Sequence, residues 1–568
     1  MAAIPSDRAQ FPLGAATKSA LEVRADLLAR REIALLDVRE EAPHAEGHPL
    51  FAVNLPFSQL ELETYARLPR LNAPIVVFDN GEGLAARAAA RLSALGYTDV
   101  KLLQNGLQGW RDAGYEVFRD VNAPSKAFGE LVESRRHTPS LSPEEVKMMI
   151  DARADVVIVD ARPFDEFQVM SIPTATSVPG AELVLRAGAL APRPETRIVV
   201  NCAGRTRSII GAQTLINAGL PNPVAALRNG TIGWKLAGQA LDHGQSRKFP
   251  EVDAGARAAA AAAARRVADL AGVKRIGLET ANQWIERGDT TVYRFDVRTP
   301  EEYAAGHLPG FRGAPGGQLV QETDVFAPIR GASIVLADDG GGRANMTASW
   351  LAQMAWNVFV LDLADGAAGD LLNGGQDGTF EQFSERGQWR APLPALPQMP
   401  HGVKIPPQRL KDWLNQDRVN QRASRQAEDF SVVVLDLGPS PQYAARHIQG
   451  AWFALRSLLA EAIQATASAE RYILTSPDGI AAHFAWADAN KLTSKPVYVL
   501  DGGTDAWAAH GEPTDPSPPK YASPPIDRYK RPYEGTDAPA TAMQAYLDWE
   551  HGLVEQLNRD GTHGFNVI

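Results

Sequence analysis

Apolar positions along the chain come in two forms, short unbroken runs and longer stretches at helical spacing. The clearest run, Ile198 to Val200, leads into a Gly- and Arg-containing turn and then an apolar helical pattern through Leu215. An unbroken run of this length reads as a parallel strand buried on both faces. Helical spacing marks Leu21, Val23, Leu27 and Leu28, the stretch Leu84 to Leu95, and the Ala- and Arg-rich run Ala254 to Leu270. Near the end, Met543, Tyr546, Leu547, Leu553 and Leu557 form one side of an amphipathic helix. Strands alternating with helices predict an α/β fold built on short, mainly parallel sheets flanked by helices.

The pattern repeats. Leu35-Leu36-Asp37-Val38, Ile158-Val159-Asp160-Ala161 and Val434-Leu435-Asp436-Leu437 share one phrase, with Arg294-Phe295-Asp296-Val297 a looser copy; the aspartates lie 123, 136 and 140 residues apart. Each is followed by a second apolar run and a turn. The turn holds Cys202, 42 residues beyond Asp160, and the same count from Asp37 and Asp296 reaches Asp79 and Asp338; in the last copy Ser476 lies at 40. Trp110, Trp234 and Trp507 close three copies and are expected to be core anchors, while the third has a Gly- and Asp-rich stretch from Asp362 to Gly375. His48, His307 and His447 fall where the second copy has Ser171, and are expected to be structural. Markers in register at this period mean tandem units. Four are expected, at 1–130, 131–250, 251–398 and 399–515, with a C-terminal linker and helical tail at 516–568. Asn122 to Arg136 reads as a polar joint, and Ala254 to Leu270 as a connector or the first helix of the third unit. The tail helix suits packing on a domain or on another subunit, and a homodimer is the assembly it suggests.

Composition narrows the function. A net charge of −10 argues against a nucleic-acid partner. A single cysteine excludes a disulfide framework and a CxxC-type zinc site, and suits a reducing compartment. Neither a signal-peptide pattern nor an apolar run long enough for a membrane span is visible, so a cytoplasmic location and no membrane partner are expected.

That single cysteine sits where chemistry is expected. Strand, tight loop and helix start converge backbone N–H groups and a helix dipole on Cys202, which favours the reactive thiolate. Arg205 and Arg207 add two guanidinium forks suited to an oxyanion. The carboxylates of Asp79 and Asp338 can fill the same N–H cradle as fixed anions, and Ser476 has no base to activate it, so the first, third and fourth units are expected to be inactive.

The loop Cys202-Ala203-Gly204-Arg205-Thr206-Arg207 resembles the active-site loop of rhodaneses, the thiosulfate sulfurtransferases. Val159-Asp160-Ala161-Arg162, Phe164-Asp165-Glu166-Phe167 and Gly230-Thr231-Ile232-Gly233-Trp234 agree with that family; Ser171-Ile172-Pro173 departs from its usual Gly-His-Ile-Pro. The resemblance implies a Cys202 nucleophile that becomes a persulfide, with Ala203, Gly204, Arg205, Thr206 and Arg207 binding the substrate. Glu182 and Arg186 are further candidates for the pocket wall. It implies a small anionic sulfur donor, a thiol, cyanide or protein sulfur carrier as acceptor, and neither metal nor other cofactor. Rhodanese-fold phosphatases and arsenate reductases place five residues between Cys and Arg, against four here, and a binding scaffold with Cys202 incidental is the other alternative.

Overall fold

The computed structural model describes residues 16–362, 383–424, 431–515, 519–535 and 537–568. Each apolar run becomes a strand and each helical pattern a helix laid on the sheet. In the second module the strands lie in the order Ser140–Leu141, Val224–Leu227, Arg197–Asn201, Val156–Asp160, Thr176–Ser177, all parallel. The same order recurs in the other three modules, so the chain is four parallel-sheet domains flanked by helices, with a helical tail. In the fourth, Lys520–Tyr521, from the Pro-rich segment expected to be linker, adds a sixth strand beside Trp452–Phe453.

The repeat markers turn out to be its fasteners. Trp110, Trp234 and Trp507 are buried, and each indole N–H donates to a carbonyl six residues on: Glu116 at 2.9 Å, Ala240 at 2.8 Å and Pro513 at 3.0 Å. His48, His307 and His447 are buried and bonded to backbone carbonyls. The aspartate of the repeated phrase is clamped by the arginine two residues on; Arg162 Nε lies 2.9 Å from Asp160, and its Nη2 reaches the Met170 carbonyl at 2.6 Å. Arg39 and Arg298 make the same bonds to Asp37 and Asp296. Asp436 has no such arginine, and burial pushes its carboxyl up to about 6. All but Asp362 of the Gly- and Asp-rich stretch lies outside the described residues.

Modules meet in pairs through the same part of the repeat. Residues 57–59 of the first touch residues 456–458 of the fourth, where Arg456 is buried against Glu61 and Asp488. Residues 180–182 of the second touch Gly316–Gln321 of the third. The first and third also share one hydrophobic core, from Ala34 and Val77 through to Ile334 and Val360. Ala254–Leu270 is a helix wedged between the second and third modules, packing on Gly342–Gln353 and on Leu183–Leu190.

The segment read as a polar joint is instead a largely buried helix, Ala123–Arg136. Its apolar side, with Phe128 and Val132, enters the core shared by the first and third modules, and Lys126 and Glu130 are buried as partners of Asp120 and Arg205. The tail helix Ala540–His551 buries Met543, Tyr546 and Leu547 against Ile232 of the second module. Its apolar side is thus used inside the chain, which removes the ground on which a homodimer was expected. Among the described residues no helix is long and apolar enough to cross a membrane.

Candidate active site

Cys202 follows the central strand Arg197–Asn201 and precedes the helix Thr206–Ala218, and is buried. Its loop turns its carbonyls toward the start of the helix Gly230–Leu236: Cys202 O accepts from Thr231 N at 2.9 Å, and Ala203 O from Ile232 N at 3.0 Å. Gly230 has φ +55°, and a side chain there would run into the Cys202 carbonyl oxygen. Gly106 and Gly503 make the same close approach beneath Asp79 and Ser476, which is why the closing element begins with glycine.

With the carbonyls turned away, the loop's N–H groups point at the side chain in the nucleophile slot, and all four modules use them alike. Asp79 accepts from Gly81 N at 3.1 Å and Ala85 N at 2.9 Å. Asp338 accepts from Gly341 N at 2.5 Å, Arg343 N at 2.9 Å and Ala344 N at 3.0 Å. Ser476 Oγ takes Ala482 N at 3.4 Å. The N–H six residues beyond the slot contributes in every case; in the second module it is that of Ser208, whose N–H and hydroxyl both favour the Cys202 thiolate. The cradle is an anion site by construction.

Two opposing effects set the thiol. Burial pushes it above its usual range, while Arg207 first, then Ser208, pull it back; burial wins. Position in the loop alone suggested easy ionisation, and the depth of the sulfur is what changes that.

The two arginines separate. Arg205 turns outward to the helix Ala123–Arg136, where Glu130 binds it at 2.7 and 2.9 Å and Glu133 adds a further contact; Asn229 lies at 3.0 Å. Arg207 is held bidentately by Glu166, both bonds 2.8 Å, and stays close enough to Cys202 to favour its thiolate. It also lines a cavity of about 310 Å³ together with Arg162, Glu166, Arg531 and Tyr533. Ala203 is buried, and Thr206 packs on Gly129, where a methyl group would clash at 2.9 Å. Glu182 and Arg186 bond each other at 3.1 Å within the seam between modules, Glu182 reaching Arg343 of the third module at 2.8 Å. They are not among the residues lining the cavity at Arg207.

Sequence reasoning missed what covers the loop. Tyr546 of the tail helix lies 3.4 Å, and Glu550 3.5 Å, from where a Gly204 side chain would begin, so Gly204 lets the tail sit directly on the loop. Lys126 is buried under the rings of Tyr533, Tyr546 and Trp549, 5.2–5.6 Å away, and paired with Asp120 at 2.9 Å. Burial lowers the Lys126 pKa and raises that of Glu550 to about 8. The spacing of Ala123, Ala127, Phe128, Leu131 and Val132 was the one signal for this region. Among the described residues no cluster of His, Cys, Asp or Glu could hold a metal ion.

A strand-loop-helix with a thiol in an N–H cradle, repeated four times with one thiol, defines a rhodanese-type domain protein. A family profile described as "Rhodanese-like domain" matches residues 20–113, 142–237, 278–364 and 419–510, and the chain belongs to that family. Among solved structures, a thiosulfate sulfurtransferase from Pseudomonas aeruginosa is 59% identical, with a TM-score of 0.90 over 97% of this chain and 100% of that one. A rhodanese-like domain from Anabaena sp. matches 20% of this chain and 92% of its own at 20% identity, with a TM-score of 0.17. A comparison with curated proteins found no match.

Proposed function

We propose that this chain is a thiosulfate sulfurtransferase whose one working site is Cys202. The observation that carries the reading is internal: one cradle, four times, filled by a carboxylate in two modules, a hydroxyl in one and a thiol in the second. Likeness over nearly the whole chain to a thiosulfate sulfurtransferase supports it.

The Cys202 thiolate attacks the outer sulfur of thiosulfate. A bond forms between Sγ and that sulfur, the S–S bond of thiosulfate breaks, and its electron pair leaves with sulfite. The terminal sulfur of the persulfide bears the charge and settles among the loop N–H groups, where Asp79 and Asp338 hold their oxygens. A thiol, cyanide or a protein sulfur carrier then attacks it and regenerates the thiolate. Electrons balance in both steps without a redox partner. Arg207 is the cation for the sulfonate end of the donor, while Arg205, spent on Glu130, holds the loop in place. The other three modules are catalytically silent and brace the second.

Intact mass after brief exposure to thiosulfate tests this directly. A gain of about 32 Da (one sulfur atom), removed by cyanide and absent in Cys202→Ala, is expected. No adduct with thiosulfate or any persulfide donor would overturn the reading.

A further inference from the structure

The cavity beside Arg207 has a wall that no rhodanese-like module supplies. Arg162, Glu166 and Arg207 come from the second module, and facing them are Arg528, Arg531 and Tyr533, from the segment after the fourth. That segment is anchored along its path. Tyr529 N bonds Glu41 of the first module at 3.1 Å, and the Tyr533 ring meets that of Tyr546, 5.3 Å between centroids, which itself lies on Gly204. Arg531 is therefore held at the cavity rather than left on a loose strand.

Its nearest carboxylate is shared. Arg528 and Arg531 share one carboxylate, Glu534, and the next acid, Glu41, stands 3.8 Å from Arg531. Arg531 Nε is buried and has no hydrogen-bond partner among the described residues. Four arginines, Arg162, Arg207, Arg528 and Arg531, line the cavity against three carboxylates, Glu166, Glu322 and Glu534, and that excess of cations favours an anion there. Arg207 lines the same cavity and lies close enough to Cys202 to favour its thiolate. A sulfonate offers three oxygens, enough to answer both guanidinium groups.

We propose that Arg531 binds the sulfonate end of the donor opposite Arg207, so that the C-terminal segment supplies part of the substrate site. This rests on the sulfur-transfer reading above. It makes Arg531 a determinant of donor class, favouring doubly charged donors with a compact oxyanion end over neutral ones.

The test is steady-state thiosulfate:cyanide transfer, read as thiocyanate, in the full chain with Arg531→Gln and Arg531→Lys, each checked by thermal melting against the wild type. Arg531→Gln is expected to raise KM for thiosulfate roughly tenfold or more with kcat within about threefold, and Arg531→Lys to fall between. If Arg531→Gln does not fold, the lysine variant carries the test, since it keeps the charge and loses the fork. An unchanged KM, or a fall in kcat alone, overturns the assignment while the sulfur-transfer reading stands. A wild type that gains no sulfur from thiosulfate takes down that reading and this inference with it.

Discussion

A sulfur kept this deep has to be charged against its surroundings, and Arg207 is the largest of the groups that help it. Because the folded thiol sits above its ordinary value, the thiolate fraction is small at neutral pH and grows as pH rises. The rate of persulfide formation should therefore keep climbing past about pH 8.5, where a free thiol is half ionised. Arg207→Gln should move that rise to still higher pH and slow the step at pH 8 by roughly tenfold, as single-turnover mass measurements from pH 6 to 10 would read. In sequence Arg205 and Arg207 were equivalent, both polar neighbours of one cysteine. What divides them is the origin of their carboxylates: Glu166 belongs to the same module, while Glu130 lies in a helix that spacing alone did not bring near.

At the scale of elements, the tail helix and the helix Ala123–Arg136 form a lid of buried charge. Glu550 faces Lys126, Glu130, Arg205 and Tyr546, and its carboxyl is raised to about 8 chiefly by burial. A raised folded value means the helix's docking is strongest at low pH, weakens as pH climbs from about 4.5 toward 8, and has lost this contribution above it. Hydrogen exchange in residues 543–550, corrected for intrinsic rates, should speed up by as much as tenfold per pH unit between pH 6 and 8. Glu550→Gln should flatten that dependence. Amphipathic spacing found the buried residues of the tail, because periodicity reports which face is covered. The single helix expected through Leu557 is instead two, Ala540–His551 and Leu553–Asp560, and Leu553 and Leu557 pack into a core of the first module. Periodicity cannot report by what a face is covered, and so the contact with Gly204 was not legible. The helix Ala123–Arg136 was missed for the opposite reason: Lys126 and Glu130 made it read as polar, yet both are buried as partners of Asp120 and Arg205.

Across the whole molecule the fourfold repeat was legible, since strand and slot recur in every copy and the closing tryptophan in three, all set by local chemistry within the copy. The pairing of modules was not, because it depends on single residues outside the repeat markers. Arg456 is one: buried, it answers Glu61 across the seam between the first and fourth modules and Asp488 within its own module. Removing one partner of a buried ion pair strands the other, at about 3–5 kcal/mol. Arg456→Ala should accordingly give the fourth module its own, earlier transition in calorimetry, with sulfur loading of Cys202 less affected than domain stability.

The sibling modules also say something about rest and work. In the first and third, the cradle is closed for good by a carboxylate that is part of the chain. On the proposed chemistry the second module has that closure only on loan, while a borrowed sulfur atom occupies it. The loaded form is then the one that resembles its siblings, and the unloaded form is the exception among the four. On that chemistry, giving the sulfur away would return the module to its less finished state, and the architecture would favour holding the cargo until an acceptor arrives.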